Sequence, residues 1–249
     1  MEQLTQPDYQ TKKKIAIREH IVEIASDSGE GAQTAGQIFG IISAKMGNGV
    51  WTVELIPAEI EPPPRSRAGV SGNRIRLGEK YMTNAGDLAD VVIGFNEQVL
   101  YSRIDMQAYR PGTQIFLESK WSMDPDPSIR EAYAEAVADF KKRGYEVFEV
   151  PMESECLKSV VDARRGKNVW VLGLLSMLYQ RDMELIKLEI RNKLAKKGEK
   201  VIQTNYELLQ SGFDWAMENL DFYYDLPCAK RSEAQVVMNG NQALALGAM

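Results

Sequence analysis

The chain has 249 residues, 44% of them apolar and 26% charged, and its formal net charge is −5. That length and apolar content suffice for one large buried core or two modest ones. Because the 30 Lys and Arg residues are scattered and are outnumbered by 35 acidic residues, the composition argues against a nucleic-acid surface.

The N-terminal segment MEQLTQPDYQTKKK is polar and lacks the apolar core of a signal peptide. No later segment reaches the roughly 18 uninterrupted apolar residues that a membrane span needs. We therefore expect a cytoplasmic protein with no membrane partner. Only two cysteines are present, Cys156 and Cys228, and their wide separation predicts neither a zinc site nor an iron–sulfur site in this chain.

The first predicted unit is a strand, a glycine loop and a helix. Residues 18–25 alternate apolar and polar side chains, residues 27–31 form a turn, and residues 32–46 place apolar side chains at helical spacing. A second strand follows over residues 50–56. The order strand, helix, strand predicts a right-handed crossover in which the two strands pair in parallel. The single histidine, His20, is interpreted as a half-buried or exposed strand residue.

The next segment, residues 57–69, contains four of the ten prolines and predicts a stiff, extended surface loop. Strands are predicted over residues 70–77, 90–95 and 114–118, the last of them after a turn at Pro111-Gly112. A short helix over residues 96–106 lies between the last two strands.

The C-terminal half is mainly helical. A helix over residues 128–143 and a strand over residues 145–150 precede helix-forming segments at residues 168–197 and 201–219, which we expect to pack on the sheet. The alternation predicts a three-layer α/β/α domain with a parallel or mixed sheet over residues 15–225. Residues 226–235 are predicted to be a linker, and residues 236–249 the truncated start of a helix in a further domain.

The glycine loop is the first candidate binding site. Ser28, Gly29, Glu30 and Gly31 open a helix, and the N–H groups at a helix start can receive an anion such as phosphate. A dinucleotide fingerprint is not matched, because its third glycine would fall at Thr34, and no P-loop lysine follows. The alternative is a plain tight turn that lets the helix approach the sheet. Glu30 would repel a phosphate unless its carboxylate points aside.

The proline-rich loop is the second candidate, because Arg65 and Arg67 could bind a phosphate or carboxylate together with Glu59. The alternative is a solvated interface loop. No serine elbow accompanies the single histidine, and His, Cys and carboxylates are not clustered. The sequence therefore predicts no catalytic residue and no metal site.

Three motifs in register resemble the gamma-type domain of 2-oxoacid:ferredoxin oxidoreductases. They are the loop DSGEGAQTAG at residues 27–36, PAEI at residues 57–60 with prolines after it, and GVSG at residues 69–72. A fourth, GNQALALGA at residues 240–248, resembles the start of the alpha, pyrimidine-binding domain. The Ser-Gly-Glu-Gly loop and the gamma-before-alpha order are most similar to the 2-oxoglutarate type.

The resemblance implies a subunit fragment of a thiamine-diphosphate-dependent enzyme of EC 1.2.7 type, which oxidatively decarboxylates a 2-oxoacid to acyl-coenzyme A. It implies scaffolding and a share in coenzyme A binding at Ser28, Gly29, Glu30, Gly31, Thr34, Arg65, Arg67 and Ser71. Thiamine diphosphate, magnesium and iron–sulfur clusters are expected elsewhere in the assembly, on a thiamine-binding beta subunit and the rest of the alpha subunit.

Ferredoxin is the expected electron acceptor of the complex, and this chain alone is expected to be inactive. Two rival hypotheses are a coenzyme A or nucleotide-binding module without chemistry, and a purely structural interaction domain.

Overall fold

The computed structural model describes residues 9–57, 69–229 and 236–249. The strands in these ranges are β1 Lys13–Ala16, β2 Glu19–Ser26, β3 Gly49–Leu55, β4 Ser71–Gly78, β5 Ala89–Gly94, β6 Tyr109–Glu118, β7 Glu146–Val150 and β8 Phe222–Asp225. The α-helices are α1 Ala32–Lys45, α2 Glu97–Asp105, α3 Pro127–Lys142, α4 Met152–Cys156, α5 Lys167–Leu178, α6 Met183–Leu194, α7 Glu199–Asn219 and α8 Gly240–Gly247. None of these helices combines the length and the apolar character that crossing a bilayer requires.

The main sheet has six strands in the order β3-β4-β2-β5-β6-β7. Strands β2, β5, β6 and β7 are parallel, whereas β4 runs antiparallel to both β2 and β3. The predicted mixed sheet is therefore confirmed. The predicted pairing of the first two strands is wrong, because β4 lies between them: Ile75 is opposite Val22 on one side and Thr52 on the other. The reason is burial, since β4 is buried along almost its whole length whereas β3 is largely exposed and suits the edge.

Helices cover both faces of this sheet and give the predicted three layers. Alternate side chains of β2 enter two different cores: Val22 and Ile24 pack in the core beneath α1, α5 and α7, whereas Ile21 and Ala25 pack in the core beneath α2 and α3. This is the period of two expected for a strand covered on both sides. Helices α5, α6 and α7, from the segments at residues 168–197 and 201–219, pack in the core on the sheet, as the sequence predicts.

The helix-forming segment at residues 168–197 contains a break that the sequence pattern did not indicate. Helix α5 ends at Leu178, and Gln180 adopts a left-handed φ of 52°. The buried Arg181 then donates to Tyr179 O at 2.7 Å and to Asn48 Oδ1 at 2.6 Å. Asp182 caps α6 by accepting the first N–H groups of that helix. These contacts turn the chain between two helices rather than continuing one.

A second, two-stranded sheet, β1 with β8, was not predicted. The strands are parallel, with Lys13 opposite Phe222 and Ala16 opposite Asp225. Phe222 and Tyr224 of β8 belong to the core beneath α5 and α7. The next residues stay packed, because Leu226 is buried and Pro227 O accepts from Asn48 Nδ2 at 3.0 Å.

Candidate ligand site at the carboxyl edge of the sheet

The sheet has a topological switch point between β2 and β5. The helix that follows β2 lies on one face, and the helix that follows β5 lies on the other. In open α/β sheets such a divergence opens a crevice beyond the carboxyl ends of the strands, where ligands bind. Asn96 joins the two loops at this crevice: its Nδ2 donates to Asp27 Oδ2 at 2.9 Å, and its Oδ1 accepts the N–H of Gln98 and caps α2.

The glycine loop forms one wall of the crevice. Gly29 and Gly31 have φ values of 90° and 79°, which favour glycine. Gly31 is the N-cap of α1 and brings no side chain to it, so the first N–H groups of α1 have no side-chain cap and the positive end of the helix dipole lies at the loop. A Cβ at Gly36 would lie 2.3 Å from Asn73 Cβ, so this small residue lets α1 lie close to the sheet.

A buried lysine forms the second wall. Lys167, the first residue of α5, has a side chain with no exposed surface; its Nζ lies 2.8 Å from Glu30 Oε1, 3.7 Å from Glu153 Oε2 and 3.9 Å from Glu118 Oε2. We call these four residues the Lys167 cluster. The ammonium also lies 5.0 Å from the centroid of the Phe95 ring. Carboxylates from the glycine loop, the end of β6 and the helix α4 thus converge on one cation.

The environment of the Lys167 cluster shifts the pKa values of two of its members, Lys167 and Glu118. Burial opposes the charged form of Lys167, but Glu30 and the other two carboxylates outweigh burial, so the pKa of Lys167 is raised. Burial raises the pKa of Glu118 to about 7, against the opposing charge of Lys167. Glu118 also accepts the backbone N–H groups of Lys120 at 3.0 Å and Glu153 at 2.9 Å, and so ties the end of β6 to α4.

The structure brings together only some of the residues that the sequence predicted. Glu30 turns its carboxylate onto Lys167, which removes the predicted repulsion of a phosphate at the helix start. Ser28 and Gly29 are exposed and Gly31 is half-buried. Ser71 is buried, and its carbonyl accepts from Ser26 Oγ at 3.2 Å.

The other predicted residues lie elsewhere. Thr34 is half-buried, on the first turns of α1, and lines a groove that also contains Asn168. Glu59, Arg65 and Arg67 fall outside the described residues.

Lys167, Glu118 and Glu153 were missed by sequence reasoning, although two of them leave a signal. Lys167 opens an otherwise apolar helix, and Glu118 ends a buried strand. A charged residue at the end of an apolar run requires a buried partner. For Lys167 two of these partners, Glu30 and Glu118, are 137 and 49 residues away, and the sequence does not identify them. In the described part of the chain, no group of His, Cys, Asp and Glu side chains could hold a metal ion.

The same fold occurs in known proteins. Residues 22–215 match the family described as pyruvate ferredoxin/flavodoxin oxidoreductase. The chain belongs to this family. The resemblance to this family of oxidoreductases is therefore confirmed.

Two relatives of this chain carry 2-oxoglutarate oxidoreductase in their names. The 2-oxoglutarate oxidoreductase subunit KorA of Mycobacterium tuberculosis is 29% identical over 252 residues, which cover 97% of this chain and 37% of that protein. The solved 2-oxoglutarate:ferredoxin oxidoreductase of Magnetococcus marinus, with 2-oxoglutarate, coenzyme A and succinyl-CoA bound, matches with a TM-score of 0.72 and 25% identity over 93% of this chain and 37% of that one. The chain therefore spans little more than a third of these relatives.

Shorter subunits share the fold. The gamma subunit of a keto/oxoacid ferredoxin oxidoreductase from Geobacter sulfurreducens matches with a TM-score of 0.52 and 14% identity, over 80% of this chain and 99% of that one. The pyruvate oxidoreductase subunit PORC of Thermotoga maritima matches with a TM-score of 0.52 and 19% identity, over 80% and 97%.

Proposed function

We propose that this chain is the N-terminal, gamma-type part of an alpha subunit in a cytoplasmic, thiamine-diphosphate-dependent 2-oxoglutarate:ferredoxin oxidoreductase. The observation that carries the proposal is the match of 93% of the chain to a 2-oxoglutarate:ferredoxin oxidoreductase with a TM-score of 0.72. Residues 15–225 are the gamma-type domain, residues 226–235 a linker and residues 236–249 the start of the alpha domain. A thiamine-binding beta subunit and the rest of the alpha subunit complete the assembly.

The proposed role of this part is scaffolding together with a share of the coenzyme A site. The residues present fit a phosphorylated group at the loop of Ser28 to Gly31, because the first turn of α1 has no side-chain cap and Glu30 is paired with Lys167. Thr34, Arg65, Arg67 and Ser71 complete the proposed set. Bound coenzyme A would supply the thiol that accepts the acyl group, and this chain would hold and orient its phosphates.

Reconstitution with partner subunits tests the activity. The chain is expressed alone, then joined to the rest of the alpha subunit together with a thiamine-binding beta subunit, and reduction of a ferredoxin is followed with 2-oxoglutarate or pyruvate and coenzyme A. We expect no turnover by the chain alone and a preference for 2-oxoglutarate in the assembly. Turnover by the chain alone, or a preference for pyruvate, would contradict the proposal.

Titration calorimetry with coenzyme A tests the binding role. We expect binding to the 249-residue chain that is weakened by the double substitution Arg65→Ala and Arg67→Ala, since guanidinium groups bind phosphate bidentately. The matched control is Arg130→Ala and Arg143→Ala, two exposed residues at opposite ends of α3. If coenzyme A gives no heat, the scaffold role stands alone.

A further inference from the structure

A basic groove lies on the helical face formed by α1, α5, α6 and α7. It has a volume of about 790 Å³, within the roughly 300–1,000 Å³ of small-molecule sites. Five cations line it, and its lining includes no carboxylate: Arg164, Arg165, Lys193, Lys197 and Lys200. This concentration of positive charge is unexpected in a chain whose net charge is −5.

The cations of the groove are weakly compensated. Arg164 and Arg165 share Asp162 at 3.7 Å each. Among the described residues, no carboxylate lies within 4.0 Å of the ammonium groups of Lys193, Lys197 or Lys200. The nearby Glu199 is occupied by Arg191, at 2.7 Å. The groove therefore offers several positive charges that no neighbouring acid neutralises.

Two helix starts add to this field. Asn168 and Val169, in the first turn of α5, and Lys200 and Val201, in the first turn of α7, line the groove. Both helices have a glycine N-cap and no side-chain cap, so first-turn N–H groups and the positive dipole ends lie beside the cations.

The floor between the cations is apolar. Ile38, Val169, Ile190 and Leu208 underlie it as buried side chains, and the apolar surface that reaches solvent belongs to Val160, Leu194 and Val201. A free inorganic anion would leave this surface exposed to water, whereas a ligand with an apolar or aromatic body would cover it. Five cations exceed what a single carboxylate requires and match a chain of phosphates.

We propose that this groove binds a nucleoside polyphosphate, with its phosphates on Arg164, Arg165, Lys193, Lys197 and Lys200 and its base on the apolar floor. The inference does not rest on the function proposed above, and its five cations are residues other than Arg65 and Arg67; of the proposed coenzyme A set, Thr34 also lines the groove. The ligand is a free nucleoside polyphosphate, distinct from the coenzyme A assigned to the glycine loop.

Calorimetry on the 249-residue chain, with adenosine triphosphate as the probe, tests the groove. We expect binding that weakens as salt rises, and a loss of about tenfold or more in affinity for Lys197→Glu with Lys200→Glu, because two attractive charges become repulsive. The matched control, Lys141→Glu with Lys142→Glu, reverses two exposed charges at the end of α3, on the opposite face, and should bind as the parent does. Absence of heat, or equal loss in both variants, overturns the proposal.

Further probes separate the apolar and charged contributions. Inorganic tripolyphosphate should bind more weakly than adenosine triphosphate, because it cannot cover the floor. Equal affinity, or binding of a polyglutamate peptide but no nucleotide, overturns the proposal in favour of plain anion attraction or a protein-docking face. Coenzyme A should not displace the nucleotide, because it is assigned to the glycine loop, and competition between the two ligands overturns the proposal of a separate site.

The substitutions at Arg65 and Arg67 keep the two proposals distinct. They should leave binding of adenosine triphosphate unchanged, whatever they do to coenzyme A. Loss of triphosphate binding in that variant, with no loss in the Lys197 and Lys200 variant, would overturn the assignment of the groove.

Discussion

Buried charge in this chain is arranged as networks rather than pairs. Glu23, on β2, has no exposed surface and accepts from Arg74 Nε at 3.0 Å, Arg103 Nε at 2.8 Å and Tyr109 OH at 3.0 Å. Lys167 is enclosed by three carboxylates in the same way. Removing one member of such a network leaves the other charges buried without compensation, which costs more than the lost contact itself.

The Glu23 network predicts a large loss of stability on Glu23→Gln. We expect the free energy of unfolding to fall by about 3–5 kcal/mol, because two arginines lose their counter-charge in the interior. The control is Glu19→Gln, four residues earlier on the same strand, where the carboxylate is half exposed and pairs with Arg76 at 2.7 Å. That change should cost less than about 1 kcal/mol. Urea unfolding measures both, and similar losses in the two variants would contradict this account.

The raised pKa of Glu118 predicts how the free energy of unfolding depends on pH. Its pKa is raised by burial from the ordinary 4.5 to about 7, so between these values the folded chain binds a proton that the unfolded chain has released. Stability therefore falls as pH rises through this window, by roughly 3 kcal/mol in total if the shift is fully expressed. Glu118→Gln cannot ionise and should flatten the profile.

The measurement is urea unfolding at several pH values from 5 to 8. Glu131→Gln, an exposed carboxylate on α3, is the control and should keep the slope of the parent chain. A slope that persists in Glu118→Gln would assign the pH dependence to another group.

At the scale of elements, α5 and α7 cross at very short range. Nearly every residue of α5 is buried, and the two helices meet at glycines. A Cβ at Gly173 would lie 2.0 Å from Leu209 O, and one at Gly212 would lie 1.9 Å from Trp170 O. Backbone atoms cannot move aside as a side chain can, so the crossing requires glycine on both helices.

Gly212→Ala should therefore separate the two helices. We expect a loss of about 1–3 kcal/mol or more from overpacking, even though alanine is the better helix former by about 1 kcal/mol. Gly240→Ala, in α8, meets no atom within 4 Å and should be neutral or slightly stabilising. Thermal unfolding distinguishes them, and equal midpoints for the two variants would show that the crossing tolerates a methyl group.

The sequence predicts elements well where the signal is local. The helices predicted over residues 32–46 and 96–106 match α1 and α2 to within a residue at each end. Contacts between distant segments leave no signal in the local sequence. The sequence of residues 71–78 does not indicate that β4 pairs with β2, because the order of the strands depends on whether β3 or β4 is the better buried. The break at Gln180 likewise depends on Arg181 reaching Asn48.

The candidate site divides in the same way. The glycine loop could be located from the sequence, because glycines with left-handed φ and a following helix leave a compact motif. Its electrostatics could not, because Glu30 is neutralised by Lys167, 137 residues later. The five cations of the groove come from two stretches of sequence, residues 164–165 and 193–200, that only the fold brings together.

At the scale of the whole molecule, the small sheet of β1 and β8 joins the segment before the main sheet to the segment after α7. Ile15 and Ile17 pack against the core beneath α5 and α7, and Lys12 Nζ donates to the carbonyls of Met217 and Leu220 at the end of α7. The N-terminal limit predicted at residue 15 falls inside β1. By contrast, α8 contains no buried residue, and its Leu244 and Leu246 are exposed.

Two truncations test this asymmetry. A chain that begins at Arg18 loses β1 and uncovers Phe222 and Tyr224, so its free energy of unfolding should fall by several kcal/mol, at about 25 cal/mol for each Å² of apolar surface exposed. A chain that ends at residue 235 loses α8 and its exposed leucines, and should unfold at the same urea concentration as the full chain. If the C-terminal truncation is the more damaging of the two, α8 belongs to this core rather than to a following domain.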